Sequence, residues 1–328
     1  MIGGAKQFHF IGIGSSVATP QLGRVVLWMT GALISFSVTA LTVRTLGQQL
    51  NTFEILSIRS GAGLFVLLVL VAAHPALRRE LAPRYIGFHL ARNTTHFVGQ
   101  FSWALAVTLL PFATVFSLEF TTPAWVALLA ALILGERMTK SRAGSVVLGF
   151  LGVLVIVRPG LASFQPTALL VLFAAFTFAI SLIVTKQLTN RVSTFAIIFW
   201  MNLMQLPMAL AWPSVVAATG GPSLFIFRLG ADLLIPTLAL GAVGLTSHYC
   251  LTQAFRSGDA TVVVPLDFLR IPLIALVGWM FYGEALDGFV FAGAGLIICG
   301  VLWNLFAESR RPGLPVAAST EKAQSAES

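Results

Sequence analysis

Apolar residues in this 328-residue chain come in long runs, not in the alternating or every-third-and-fourth patterns of water-facing strands and helices. About 20 consecutive apolar residues carry an α-helix across a bilayer. Ten windows approach that length, at roughly 24–44, 53–73, 84–109, 111–134, 142–158, 166–186, 193–213, 232–255, 259–282 and 286–306. The pattern therefore predicts an all-α membrane protein with ten transmembrane helices. The connections at Pro111 and at 283–287 (GEALD) are so short that the helices they join must be antiparallel neighbours.

The runs also repeat. A shift of 148 residues lays Leu118, Glu119 and Phe120 on Leu266, Asp267 and Phe268, Gly135 and Glu136 on Gly283 and Glu284, and Gly152 on Gly300. With a one-residue slip Ala113-Thr114-Val115 falls on Ala260-Thr261-Val262, and Thr52-Phe53 and Thr194-Phe195 open the second and seventh runs alike. The expected organisation is a cytoplasmic lead at 1–21, five-helix repeats at 22–158 and 164–306, and a polar, disordered cytoplasmic tail at 307–328. Five is odd, so the second repeat enters the membrane in the opposite sense. Inverted repeats of this kind are characteristic of secondary transporters.

Charge fixes the orientation. With the N-terminus placed in the cytoplasm, cytoplasmic connections collect most of the Lys and Arg, including Arg78, Arg79, Arg84, Arg137, Lys140, Arg142, Lys186 and Arg191. The opposite side holds Arg44, Arg158 and Arg228. This bias predicts both termini inside. It also explains the net charge of +8 without nucleic acid as a partner, since the basic residues stand singly between apolar runs instead of clustering on one face.

Composition agrees with lipid as the main solvent: 57% of residues are hydrophobic and 10% charged, at a mean hydropathy of +0.90, against about 25% charged in soluble domains. Cys250 and Cys299 lie inside apolar runs and read as packing residues. The Gly-rich start lacks the pattern of a cleaved signal peptide. Gly12-Ile13-Gly14 follows no strand, and no ATP-binding loop is present, so no cofactor is expected. The partners to expect are a small-molecule substrate, the bilayer and, as a coupling ion, protons.

An ionisable group inside a bilayer costs several kcal/mol unless paired or hydrated, which makes each one a functional candidate. Here these are Arg59, Arg92, Glu119, Asp267 and Arg270, with His96 and His248 as titratable company. Glu119 and Asp267 occupy equivalent positions of the repeat. They suit binding of a cationic or hydrogen-bonding part of a substrate, or acceptance of a coupling proton. The competing role is an internal salt bridge: Asp267 and Arg270 are three apart on one helix, and Glu119 could pair with Arg59 or Arg92. No metal-ligand spacing accompanies the histidines, which read more readily as packed or hydrogen-bonded. Trp103, Phe120 and Phe268 lie close to the charged set and could line a cavity for a planar metabolite. Pro123, Pro265 and Pro272 are candidate hinges, with a fixed bend as the alternative. Gly135-Glu136 and Gly283-Glu284 close the fourth and ninth runs, their glutamates reading as structural.

Residues 111–115 (PFATV), 120–123 (FTTP), 134–137 (LGER) and 149–153 (GFLGV), with their echoes between 260 and 300, resemble the EamA-type branch of the drug/metabolite transporter superfamily. The resemblance covers 22–306. It implies a central cavity enclosed by a ten-helix bundle in a bacterial inner membrane, and cargo such as amino acids, nucleotide-like metabolites, vitamins or sugars. Residues 46–55 followed by Arg59 are similar to S-adenosylmethionine importers of that branch, with riboflavin carriers close by. The expected function is secondary transport of a small organic metabolite by alternating access. The alternatives are an intramembrane enzyme and a non-transporting membrane subunit, the latter favoured if no water-sized cavity lies beside Glu119 and Asp267.

Overall fold

The computed structural model describes residues 22–134, 138–159, 165–189, 191–219, 230–257, 263 and 266–310. The lead at 1–21, Gly135, Glu136, Arg137, Arg228, 260–262, Pro265 and the tail beyond 310 fall outside these residues, as do the side chains of Lys186 and His248.

The chain runs α1 (Leu22–Leu46), α2 (Thr52–Ala73), a 3-10 turn (Pro75–Leu81), α3 (Ile86–Leu109), α4 (Phe112–Glu119), α5 (Thr122–Leu134), α6 (Lys140–Val157), α7 (Ala168–Thr189), α8 (Thr194–Ala218), α9 (Ala231–Ser257), α10 (Arg270–Tyr282) and α11 (Gly288–Ser309). No strand occurs among the described residues, as expected where every backbone group must be satisfied within lipid. Helix ends sit where the local chemistry stops them. Asn51 and Glu54 form a reciprocal capping box at the start of α2, each side chain bonding the other's backbone N–H. Thr139 caps α6. Gly283, with φ +63°, ends α10 in the left-handed conformation a glycine takes at no steric cost.

Eight helical stretches among the described residues are long and apolar enough to cross a membrane: α1, α2, α4 with α5, α6, α7, α8, α9 and α11. α3 is as long, but it carries His89, Arg92, Asn93, His96 and Gln100 along its length. α10 is a 13-residue apolar helix. The apolar run at 111–134 is not one helix. It breaks at Phe120 and Thr121, where α4 stops and α5 begins, and a second break at Phe268 and Leu269 precedes α10. Pro123 and Pro272 stand in the first turns of α5 and α10, just after these breaks, where a missing N–H costs nothing. The prolines inside helices are Pro207 and Pro213 in α8 and Pro236 in α9.

The most extensive packing pairs are α1 with α9, α6 with α11, α3 with α7 and α2 with α8. Each pair joins an element before residue 158 to one after residue 165, so the two parts of the chain interleave. The larger of two apolar clusters draws Val43 and Leu46 from α1, Val107 from α3, Phe112 and Phe116 from α4, Leu240 from α9 and Ile274 from α10, and a smaller one joins Val25 and Met29 of α1 to Ala254 of α9. Where α6 crosses α11 the backbones almost touch. A Cβ on Gly152 would lie 2.5 Å from the Gly293 carbonyl oxygen, and one on Gly293 would lie 2.6 Å from that of Gly152. Small residues permit such approach where lipid gives helices no hydrophobic reason to associate.

Candidate functional site

The two helix breaks bring the charged centre together. Glu119 is the last residue of α4 and Asp267 precedes the second break, so each carboxylate stands at an interruption of the helix. Both converge on Arg270, the first residue of α10. Its Nη2 donates to Asp267 Oδ1 at 2.6 Å and Oδ2 at 2.5 Å, and its Nη1 lies 3.6 Å from Glu119 Oε1. Trp103 Nε1, on α3, donates to the other Glu119 oxygen at 2.8 Å. The i,i+3 pairing of Asp267 with Arg270 is the one the spacing suggests. Glu119, however, takes Arg270 as its ion-pair partner among the described residues, and not Arg59 or Arg92. The reason is topological: the breaks fold α4 against α10, while α2 and the first half of α3 pack elsewhere.

Aromatic rings enclose the triad. The Arg270 guanidinium lies 4.2 Å from the Phe36 ring and 5.2 Å from Phe120, within the range of a cation–π attraction. Phe120 and Phe268, equivalent in the 148-residue repeat, meet at 4.8 Å between centroids, and Trp103 meets Phe116 edge-on at 5.9 Å. The arginine side chain is 7% exposed, against 24% for Glu119 and 18% for Asp267. The cation is thus held inside while both anions keep access. Two carboxylates around one guanidinium leave a net negative charge, an indole N–H and aromatic walls. That combination can receive a planar group carrying a positive charge or hydrogen-bond donors.

A second polar cluster lies along α3. His89, Asn93, His96, Gln100 and Trp103 recur every three or four residues and share one helix face, ending at the Trp103–Glu119 bond. Asn93 Nδ2 donates to the Trp200 carbonyl and Met204 Sδ, each at 3.2 Å. Gln205 Nε2 donates to the Asn93 carbonyl at 3.3 Å and pairs with His96 Nδ1 at 3.0 Å. Arg92 bonds Thr185 Oγ1 at 3.2 Å and Asn93 Oδ1 at 2.9 Å. Arg59 lines a cavity of about 10 Å³, room for about one water, with Ser60, Gly63, Met201, Asn202, Gln205, Gly244 and Leu245. Neither Glu119 nor Asp267 lines this cavity. His248 belongs to α9, its side chain outside the described residues. No group of three metal-ligating side chains occurs among the described residues.

Sequence reasoning overlooked a third set. Arg44, counted above as a connection residue, is 11% exposed and bonds three groups. Its Nε donates to the Val107 carbonyl at 2.7 Å, its Nη groups reach the Leu110 carbonyl and Glu284, and its plane covers the Phe112 ring at 3.5 Å. Glu284 Oε2 also accepts from Phe112 N at 2.8 Å. Arg158 reaches Asp287 at 2.5 Å. The acidic 283–287 connection thereby holds the ends of α1 and α6. The available signal was its two carboxylates, matched to the two arginines that follow the first and fifth apolar runs. For the α3 cluster the signal was the polar spacing itself.

The EamA-like transporter family model matches residues 23–158 and again 165–306. A riboflavin transporter of Rhizobium johnstonii is 31% identical over 69% of this chain and 72% of that protein. An S-adenosylmethionine uptake transporter of Rickettsia prowazekii is 26% identical over 87% of this chain and 93% of its own length. Among solved structures that share the fold is a crystal structure with a TM-score of 0.57 at 18% identity, covering 88% of this chain and 98% of that one. Two family matches covering nearly the whole helical body, each containing one of the two helix breaks, make this chain a member of the EamA-like transporter family, a multi-pass membrane transporter and not an enzyme.

Proposed function

We propose that the chain carries a small organic metabolite across the bacterial inner membrane as a secondary transporter, by alternating access around Glu119, Asp267 and Arg270. In this reading ten helices, α4 and α5 counting as one span, form two inverted five-helix repeats with both termini cytoplasmic. The observation that carries it is the convergence of two repeat-equivalent carboxylates on one arginine at two repeat-equivalent helix breaks. Discontinuous helices meeting near a pseudo-two-fold axis are how such transporters build a site. The Phe120–Phe268 contact supports an axis nearby, because equivalent residues touch only where the halves meet. The interleaved pairs support the same symmetry: exchanging the two sets of five spans turns α1·α9 into α7·α3 and returns α2·α8 and α6·α11 to themselves.

The cargo class is amino-acid-, nucleoside- or vitamin-like, with S-adenosylmethionine and riboflavin as the first compounds to try, following the named relatives. Protons are the coupling ion, with Glu119 as the acceptor, since it is the more exposed carboxylate and the less tightly held by Arg270. Uptake into proteoliposomes, with and without an imposed proton gradient, tests the reading. Gradient-dependent accumulation of one compound is expected, and absence of saturable uptake across amino acids, nucleosides and vitamins would refute it.

A further inference from the structure

The transport reading gives tasks to the charged groups of the central site but leaves the α3 face that runs into it without one. We propose that Gln100 is a cargo-binding residue of that site, whose amide reads the edge of a planar nitrogen heterocycle, an N–H beside a carbonyl or a ring nitrogen. The inference rests on the transport reading and names the part of the cargo that lies against α3.

On that face the side chains of Asn93 and His96 are bonded to α8, and that of Trp103 to Glu119. Gln100 is placed differently. It is 5% exposed, and its Oε1 has no partner among the described residues. A buried amide oxygen without a donor forfeits the hydrogen bond it makes in water, which is why nearly all such atoms are paired and an unpaired one calls for an explanation. His89 is the other unpaired group of the face, with both ring nitrogens lacking a partner among the described residues. It stands fourteen residues from Trp103, about 21 Å along a helix at 1.5 Å per residue. Gln100 stands three residues from Trp103, a spacing at which side chains on a helix are neighbours. The unpaired oxygen is therefore one helical turn from the indole that holds Glu119.

A glutamine amide carries an acceptor and a donor on one carbon and in one plane. Its complement is another planar group with a donor next to an acceptor, as when glutamine reads the N6 and N7 edge of adenine. An imide ring, with its N–H between two carbonyls, offers the same pair. Trp103 and Phe120 are each half-buried, so part of each ring stays open for a heterocycle to stack on. A cargo with its ring edge on Gln100 keeps its cationic or donor-rich part for Glu119 and Asp267.

Two probe pairs that differ by methylation of that edge test this: riboflavin against 3-methylriboflavin, and S-adenosylmethionine against its N6,N6-dimethyl form. Binding is read from the shift in thermal unfolding of the full-length protein in detergent, titrated with each probe. In at least one pair the unmethylated member should bind about tenfold tighter, the worth of one or two hydrogen bonds. Gln100→Met keeps the length of the side chain and removes both polar atoms. It should abolish that preference without lowering the unfolding midpoint of the ligand-free protein, because no internal bond is lost. If Gln100→Met is not monodisperse, Gln100→Leu takes its place, with the same result expected. Equal shifts within both pairs, absent shifts included, overturn the proposal, as does a preference that survives the substitution. A ligand-free midpoint lowered by about 2 °C or more overturns it too, by showing that the amide is bonded within the protein. Uptake of the same probes by proteoliposomes separates the two readings. Edge-selective binding without uptake keeps the role of Gln100 and removes transport, whereas saturable uptake without edge preference removes that role alone.

Discussion

Arg270 is the residue on which the central site depends. It is the one cation facing both carboxylates among the described residues, and breaking such a pair costs about 3–5 kcal/mol where removing both partners costs far less. Arg270→Gln should therefore fold poorly, with a depressed unfolding midpoint in detergent. Adding Asp267→Asn should recover much of that midpoint without recovering transport, and a double variant no more stable than the single would show that the pairing is not what holds the site. Arg270→Lys should not substitute, since an ammonium lacks the planar face that lies over Phe36 and Phe120. Glu119→Gln keeps the Trp103 bond available and removes one negative charge. It should abolish most uptake at normal expression and unchanged unfolding midpoint, and native uptake kinetics in that variant would exclude Glu119 from the mechanism. The Asp267–Arg270 contact was legible because three residues along one helix fix a distance. The Glu119 partner was not, because hydropathy says nothing of which helix faces which, and that left Arg59 and Arg92 open as partners.

At the scale of elements, apolar runs located the helices to within a few residues, since the bilayer imposes one length on all of them. The breaks at Phe120 and Phe268 stayed hidden inside those runs, because residues that interrupt a helix can be as apolar as residues that continue it. Pro123 and Pro272 marked them indirectly, at positions that begin a helix rather than bend one. The α6–α11 crossing gives the sharpest element-scale prediction. Gly152 meets the Gly293 carbonyl across the crossing, whereas nothing lies within 4 Å of where a Cβ on Gly295 would be. Gly152→Val must push the helices apart and should cost about 1–3 kcal/mol, the range for overpacking. Gly295→Ala, two residues along α11 from Gly293, should be nearly neutral. Thermal unfolding of both variants in one detergent checks this, and equal midpoints would mean that the close approach does not persist in solution.

Across the whole molecule, the repeat spacing announced which residues correspond, while the clasp at 283–287 was concealed by the same charge count that set the orientation. Arg44 and Arg158 entered that count as residues of connections, yet each is spent on an acidic partner, Glu284 and Asp287. The Arg44 clasp binds the end of α1, the carbonyls of Val107 and Leu110, and the first N–H of α4 into one knot beside the end of α10. If the halves alternate as proposed, this end is closed in the structure and the knot must open once in every cycle. Glu284→Gln should therefore favour the open form, raising amide exchange over 106–112 and 283–287 while leaving α6 and α11 protected. Exchanging the charges, Arg44→Glu with Glu284→Arg, should not restore closure, because a glutamate at 44 cannot donate to the Val107 and Leu110 carbonyls. Closure restored by that exchange would reduce the knot to a simple ion pair, and unchanged exchange in Glu284→Gln would show that the clasp is structural and takes no part in the cycle.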